Sequence, residues 1–345
     1  MSGGPVLVGI PGCGLDDPGR DWLQHPAVGG VVLFRRNFRD QAQLIHLVEA
    51  IRAVGTPRPL VCIDQEGGRV QRLEGDGFTR LPPLGVLGRL HDSDPVKSLD
   101  MAYRHGRVMA TEMLACGIDL SFAPVLDLDR GSRVIGDRAF SADPEVIVEL
   151  GESYLAGMRD AGMRTTGKHF PGHGSVVADS HVDDVTDGRS LDEIRAADLL
   201  PFRRLLPRLD ALMIAHVTYP QVDERPAGYS QRWLRDILRG ELGYGGVVFS
   251  DDLGMHAAKQ VGGVRERAAA CLRAGCDLVL VCHPEDVEAL MAADPLDAID
   301  ASGPISRLYG RPTVDRQELV EVVREGIREW PYWRSSLEQL GNSWS

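Results

Sequence analysis

The sequence predicts a single TIM-type (β/α)8 barrel, an α/β fold in which each parallel strand is followed by a helix or a long loop. Three observations support this prediction. About eight short strand-like runs alternate with helical patterns along the chain. Most of these runs are continuously apolar, as expected of parallel strands buried on both faces. The 345 residues also exceed the roughly 250 that this barrel usually needs. A doubly wound open sheet is the alternative, but no G-x-G-x-x-G turn follows the first strand to favour it.

The predicted strands are short runs that end at polar or glycine-containing segments. In chain order they cover residues 5–10, 30–34, 60–63, 120–126, 164–167, 211–216, 246–250 and 277–282.

The predicted helices follow from apolar residues that recur three or four positions apart, as Leu44, Leu47, Val48 and Ile51 do. The segment 190–206 also opens with Ser-Leu-Asp-Glu, which is a capping box. The predicted helices cover residues 41–54, 95–116, 144–161, 190–206, 231–241, 264–274, 285–292 and 316–330.

Composition narrows the class of protein. The chain is 43% hydrophobic and 26% charged, which is typical of a globular protein, and its net charge of −12 argues against nucleic-acid binding. No apolar run approaches the roughly 20 residues that span a bilayer, and the N-terminus does not resemble a signal peptide. The six cysteines are scattered and indicate buried free thiols. We therefore expect a cytoplasmic protein without membrane or nucleic-acid partners.

We expect one barrel domain over residues 1–345, because the sequence contains no internal repeat and no linker long enough to separate domains. Residues 295–345 are predicted to form a diverged, helical C-terminal extension, and 295–312 is the weakest candidate boundary. The tail from residue 321 is amphipathic and rich in tryptophan, so it is expected to pack back on the barrel.

Polar residues cluster where the predicted strands end, at 64–72, 127–138, 168–181, His216 and 251–252. In a barrel of this type the C-terminal ends of all strands meet on one face, where the active site lies. No single cluster predicts an active site, but their expected meeting at one face of the barrel does.

Asp251 directly follows the apolar run 247–250 and can face the pocket as a nucleophile or base. The alternative role for an aspartate here is capping a helix, which suits Asp252 better.

Asp179 and His181 stand two residues apart in a predicted loop. Their carboxylate and imidazole suit a general acid/base pair, although a turn with an exposed histidine is equally compatible with the sequence.

Several side chains near these strand ends could bind a polyhydroxyl ligand. Lys168 and His169 offer hydrogen-bond donors, although Lys168 could instead form a salt bridge to a barrel carboxylate. Asp64 can accept from two vicinal hydroxyls. Arg72 can return to the same pocket past two glycines, and Arg138 either faces the pocket or pairs with Asp137.

Other residues of these clusters are predicted to be structural. Glu66 and Arg69 are assigned to the framework of the strand end. His169 and His173 have the spacing of a helical metal site, but the Pro171-Gly172 between them argues against a helix. His173 is therefore predicted to brace the loop.

Six motifs, in order, resemble the β-N-acetylhexosaminidases of glycoside hydrolase family 3, of which the bacterial enzymes that trim N-acetylglucosamine from peptidoglycan fragments are most similar. They occupy residues 63–72, 122–127, 135–141, 168–181, 215–220 and 249–255. The resemblance implies that Asp251 is the nucleophile and that His181, on a mobile loop and assisted by Asp179, is the acid/base. It also implies sugar binding by five side chains: Asp64, Arg72, Arg138, Lys168 and His169.

The resemblance thus predicts a monomeric, retaining exo-enzyme that releases terminal N-acetylglucosamine from anhydromuropeptides, with no cofactor and no metal. Three alternatives stay open. One is a phosphorylase that uses the same residues, and another is a sugar-binding protein without activity. The third is a metal-dependent barrel hydrolase built on four side chains: His169, His173, His181 and Asp251.

Overall fold

A computed structural model of the protein describes residues 3–176, 185–292, 305–313 and 330–342. Eight of its strands run parallel in one sheet, in the order β6-β3-β2-β1-β12-β11-β8-β7. The strands, in chain order, are β1 Val6–Gly9, β2 Val28–Leu33, β3 Leu60–Ile63, β4 Gln65–Gly67, β5 Val70–Gln71, β6 Leu120–Ser121, β7 Thr166–Phe170, β8 Ala211–Ile214, β9 Thr218–Tyr219, β10 Asp223–Pro226, β11 Val247–Asp252 and β12 Leu278–Val281.

The sheet closes on itself between β7 and the segment that continues from β6. Val125 forms a parallel bridge with Lys168, and the Leu126 amide donates to the Lys168 carbonyl at 2.7 Å. Consecutive barrel strands are neighbours around this ring, which is the arrangement of a TIM-type barrel. The predicted fold class is confirmed.

All eight predicted barrel strands are present, but the fifth lies further along the chain than expected. It was predicted at residues 164–167 and is formed by Thr166–Phe170, all of which are buried. Lys168 and His169, which were predicted to lie at the end of this strand, are within it. Carboxylates hold both polar side chains inside the barrel mouth, so the strand can continue through residues that look like a loop in sequence.

Helices surround the barrel: α1 Asp17–Gln24, α2 Gln41–Arg52, α3 Leu84–Ser93, α4 Pro95–Ala115, α5 Pro144–Ala161, α6 Leu191–Ala196, α7 Leu199–Leu205, α8 Arg232–Glu241, α9 Val264–Ala274, α10 Pro284–Met291 and α11 Trp330–Asn342. Of these, α8 is a π-helix. Sequence patterns missed α1 and α3. The predicted helix at 190–206 is two helices, because the fully buried Asp198 between them ion-pairs with Arg189 at 2.6 Å. Residues 316–329 of the last predicted helix lie outside the described residues.

Two apolar layers hold the barrel together. The interior is filled by side chains from alternate strand positions, and Phe122 meets Phe249 there edge to face, with ring centres 5.2 Å apart. The outer layer joins the other face of the strands to the helices. All six cysteines are free thiols, and Cys13 alone is not buried. Within the described ranges, none of the helices combines the length and the apolarity that crossing a lipid bilayer would demand.

Helix α11 lies against α4, where its Leu337 is fully buried. Arg334 of α11 donates to the Gly77 carbonyl, and its Nε lies 3.8 Å from a carboxylate oxygen of Glu112 in α4. Glu112 is completely buried and accepts hydrogen bonds from the amide and hydroxyl of Thr79. One buried carboxyl group thus joins α4, the segment before α3 and α11.

Glu112 is expected to make the stability of the protein depend on pH. Burial raises the pKa of Glu112 to about 7, against the opposing effect of the Thr79 hydrogen bonds. Unfolded glutamate titrates near pH ~4.3, so between that value and about 7 the folded state holds the extra proton. The free energy of unfolding therefore falls as pH rises through this window.

The variant Glu112→Gln cannot titrate and should lose this dependence. Urea denaturation at pH 5 and pH 8 should show wild type losing up to about 3 kcal/mol relative to the variant. Glu224→Gln, at an exposed position, should follow wild type at both values. A constant difference between wild type and Glu112→Gln across this range would contradict the assignment.

Candidate active site

The C-terminal ends of the barrel strands surround one cavity of about 340 Å³. Its walls include six of the eight side chains predicted from sequence: Asp64, Arg72, Arg138, Lys168, His169 and Asp251. The remaining two, Asp179 and His181, lie outside the described residues. Side chains that are far apart in sequence therefore meet in the cavity.

Lys168 lies between two carboxylates at one side of the cavity. Its Nζ is 2.7 Å from Asp64 Oδ1 and 2.5 Å from Glu66 Oε1. The salt bridge considered for Lys168 is thus present, and Lys168 also lines the cavity. Burial pushes the pKa of Asp64 up, but the charges of Lys168 and Arg72 outweigh it, and the pKa lies below its usual value. Asp64 therefore stays ionised at neutral pH.

A short hairpin brings Arg72 back to Asp64. Strands β4 and β5 pair antiparallel, and Gly67 at the end of β4 and Gly68 in the turn have φ of 104° and 55°. Glycine adopts such positive values without the steric cost that a side chain would add. The guanidinium of Arg72 consequently reaches within 3.4 Å of Asp64 Oδ2.

Arg138 faces the cavity and does not pair with Asp137. It forms two hydrogen bonds of 2.8 Å to the oxygens of Glu66, a fork-to-fork geometry that fixes the guanidinium plane. Asp137 instead lies 3.4 Å from Arg69. Glu66, which the sequence assigned to the framework, is a wall of the cavity. The signal was its spacing from Asp64, since residues two apart in an extended segment share a face.

His169 is held by Asp127, a residue that sequence reasoning did not single out. The fully buried Asp127 carboxylate lies 2.7 Å from His169 Nδ1 and accepts from the His169 amide at 3.2 Å and the His173 amide at 2.7 Å. This contact places a proton on Nδ1 and leaves Nε2 for a ligand. His173 lines the cavity and is tied to the same carboxylate through its backbone.

Asp251 lies near the end of β11, is half-buried and lines the cavity. Its Oδ1 accepts from the Asp252 amide at 2.8 Å. Asp252 does not cap a helix as expected; it accepts from the amides of Gly254 and Cys282, and burial raises its pKa. Among the described residues, the Asp251 carboxylate therefore accepts fewer hydrogen bonds than the Asp252 carboxylate.

His216 lies behind this carboxylate rather than in the cavity wall. Its Nε2 is 3.3 Å from the Asp251 carbonyl, and its ring stacks on Tyr229 with centres 5.6 Å apart. Burial lowers the pKa of His216, which keeps the ring neutral at physiological pH. His216, which was predicted as a polar residue at a strand end, therefore contacts the backbone of Asp251 and does not line the cavity.

The fold and the cavity define a class: a (β/α)8-barrel enzyme with a pocket of fixed charged donors and acceptors for a polyhydroxyl ligand. Among the described residues no group of three or more His, Cys, Asp or Glu side chains is arranged to hold a metal ion. The metal-dependent alternative includes His181, which lies outside the described residues, so it stays open.

Comparison with known proteins identifies the family. Residues 11–302 match the glycosyl hydrolase family 3 N terminal domain. A β-hexosaminidase of Stenotrophomonas maltophilia is 52% identical over 340 residues, which cover 98% of this chain and 99% of that protein. The chain belongs to glycosyl hydrolase family 3, and the prediction of a glycoside hydrolase of the β-hexosaminidase type is confirmed.

Solved structures agree with this assignment. The structure of NagZ from Neisseria gonorrhoeae in complex with N-trifluoroacetyl-D-glucosamine has a TM-score of 0.88 and 43% identity, with 99% of each chain covered. A structure of the same protein in complex with zinc ion has a TM-score of 0.88 and 42% identity, also with 99% of each chain covered.

Proposed function

We propose that this protein is a retaining exo-β-N-acetylglucosaminidase that releases terminal N-acetylglucosamine from peptidoglycan-derived anhydromuropeptides in the cytoplasm. The main support is that the Asp251 carboxylate lines the same cavity as Asp64, Lys168 and Arg138. Those three side chains are fixed by ion pairs and can donate to or accept from a sugar. The N-trifluoroacetyl-D-glucosamine in the Neisseria gonorrhoeae structure supports the choice of sugar.

The side chains that line the cavity can form hydrogen bonds with the hydroxyl groups of one sugar ring. Ionised Asp64 accepts from two vicinal hydroxyls, Lys168 and Arg138 donate, and His169 Nε2 accepts. Because Asp64, Lys168 and Arg138 already contact partners of opposite charge, these side chains are held in place before the substrate arrives. A cavity of about 340 Å³ lies at the small end of ligand pockets, roughly 300–1,000 Å³, which favours one terminal sugar over an internal one.

In the proposed mechanism Asp251 attacks the anomeric carbon and forms a glycosyl ester as His181 gives its proton to the leaving oxygen. His181 then takes a proton from water, and the resulting hydroxide cleaves the ester with retention of configuration. Asp179 raises the basicity of the imidazole during these transfers. Imidazole titrates near pH ~6.5, so this role needs little adjustment at neutral pH.

The variant His181→Ala should lose activity in proportion to how much the leaving group needs a proton. Turnover of an alkyl or sugar N-acetyl-β-glucosaminide should fall about 10²-fold, because proton transfer to a basic oxygen is lost. The 4-nitrophenyl glycoside, whose leaving group needs little protonation, should lose much less in the first step. Burst and steady-state kinetics with both substrates measure this ratio. Equal losses for both would contradict a role for His181 in protonation.

The decisive experiment compares a chromogenic N-acetyl-β-glucosaminide with the plain β-glucoside. Hydrolysis of the first with retained configuration, and little of the second, is expected. Activity on the plain glucoside alone would overturn the substrate assignment. Product formation that requires phosphate would indicate the phosphorylase instead, and activity lost to a chelator and restored by zinc would indicate the metal-dependent hydrolase.

A further inference from the structure

Glu66 holds a central place in the wall of the cavity. Its side chain is 2% exposed, and its two oxygens contact two cations. Oε1 lies 2.5 Å from Lys168 Nζ and 2.8 Å from the Arg138 guanidinium, and Oε2 accepts from Arg138 Nε at 2.8 Å. Both oxygens are thus engaged by protein groups, and three contacts occupy most of the acceptor positions of the carboxylate.

The charges along this wall alternate. Arg72, Asp64, Lys168, Glu66 and Arg138 form a continuous series in which each side chain contacts the next at 3.4 Å or less. These residues come from the β3 end, the hairpin, β7 and the segment before α5, so the series joins four parts of the chain. Without Glu66, Lys168 and Arg138 would be two neighbouring buried cations with no carboxylate between them.

We propose that Glu66 is a positioning residue for the glycosidase reaction, which sets the orientation of Arg138 and Lys168 toward the sugar. This inference rests on the proposed function. Glu66 acts through the two cations and does not touch the substrate. Its bidentate contact fixes the Arg138 plane, and its contact with Lys168 holds the ammonium beside Asp64. Breaking buried charge pairs leaves the partners uncompensated and free to move.

The test compares Glu66→Gln and Glu66→Asp with wild type. Glu66→Gln keeps the shape but loses the charge, and should raise both KM for a chromogenic N-acetyl-β-glucosaminide and Ki for N-acetylglucosamine. We expect kcat/KM to fall about 10- to 100-fold, by analogy with the loss seen when the group that orients a metal ligand is removed. Glu66→Asp keeps the charge with a shorter reach and should restore part of the loss. Glu74→Gln, an exposed position nearby, is the matched control and should behave as wild type.

Thermal melting and circular dichroism separate positioning from folding. A purely structural role predicts a lower melting temperature and less active enzyme, with KM and Ki unchanged in the folded fraction, and that result would overturn the proposal. If Glu66→Gln does not fold, KM and Ki of Glu66→Asp decide the question.

The double variant Glu66→Gln/Arg138→Ala should lose less kcat/KM than the product of the single losses, because the two residues act together. A wild type without glycosidase activity would refute the proposed function itself, whereas active wild type with unaltered Glu66 variants would refute only this inference.

Discussion

Replacing Asp251 by alanine is expected to lower kcat by about 10⁴-fold or more, the scale seen when a catalytic nucleophile is removed. In the proposed mechanism no other group forms the glycosyl ester. Asp252, the adjacent carboxylate, is held by the amides of Gly254 and Cys282 and cannot turn to replace it without losing both contacts. Initial rates on a chromogenic N-acetyl-β-glucosaminide, with enzyme amounts high enough to detect residual turnover, measure the loss.

A labelling experiment identifies the nucleophile directly. A 2-fluoro or 5-fluoro glycoside should leave its sugar on Asp251 of wild type, as found by peptide mass spectrometry, and should leave none on Asp251→Ala. Asp236→Ala, an exposed position on α8, is the control that should keep full activity. A label on another residue, or a product of inverted configuration, would rule out the scheme.

The second large effect is expected from Lys168→Met. Methionine has a similar length but no charge, so Asp64 and Glu66 would face each other inside the cavity wall without the cation between them. Removing one partner of a buried charge pair typically costs about 3–5 kcal/mol of stability. Because the sugar also loses a donor and a correctly held Asp64, kcat/KM should fall about 10³-fold.

The stability loss in Lys168→Met should depend on pH with a defined sign. In wild type the Asp64 pKa is lowered, so the contribution of Asp64 to stability is present above its unfolded pKa and is lost as pH falls through the folded value. Without Lys168 that pKa rises, and protonation relieves the repulsion in the variant. Urea denaturation should therefore show a larger difference between wild type and variant at pH 7 than at pH 4. Lys97→Met, at an exposed position of α4, should show no such difference, and equal losses at both pH values would contradict the argument.

The order of the strands was predictable because parallel barrel strands are buried on both faces and read as apolar runs. The exact position of β7 was not, since Lys168 and His169 are polar and their partners lie on distant segments. Helix α1 was missed although Asp16 accepts from the Gly19 amide at 2.9 Å, a capping signal visible in the sequence. The break between α6 and α7 depends on a buried ion pair of Asp198 that no local pattern reveals.

The site shows the same division. Strand ends predicted that Asp64, Lys168 and Asp251 would meet, because the topology brings all such ends to one face. The spacing from Asp64 could have placed Glu66 in the cavity wall. The contacts that Glu66 and Asp127 make were not predictable, because each depends on which cation or imidazole a neighbouring strand presents. The sequence therefore predicts which side chains lie in a barrel site better than it predicts which of them contact each other.

The buried Asp127 has a consequence for any attempt to redesign this enzyme. One carboxylate accepts from His169 Nδ1 and also from the backbone amide of His173, where the chain leaves the barrel. In the proposed mechanism, substrate binding and the start of the connection that follows β7 therefore depend on the same buried carboxylate. Engineering either property by changing this connection would have to preserve that anion, since its loss would disturb both at once.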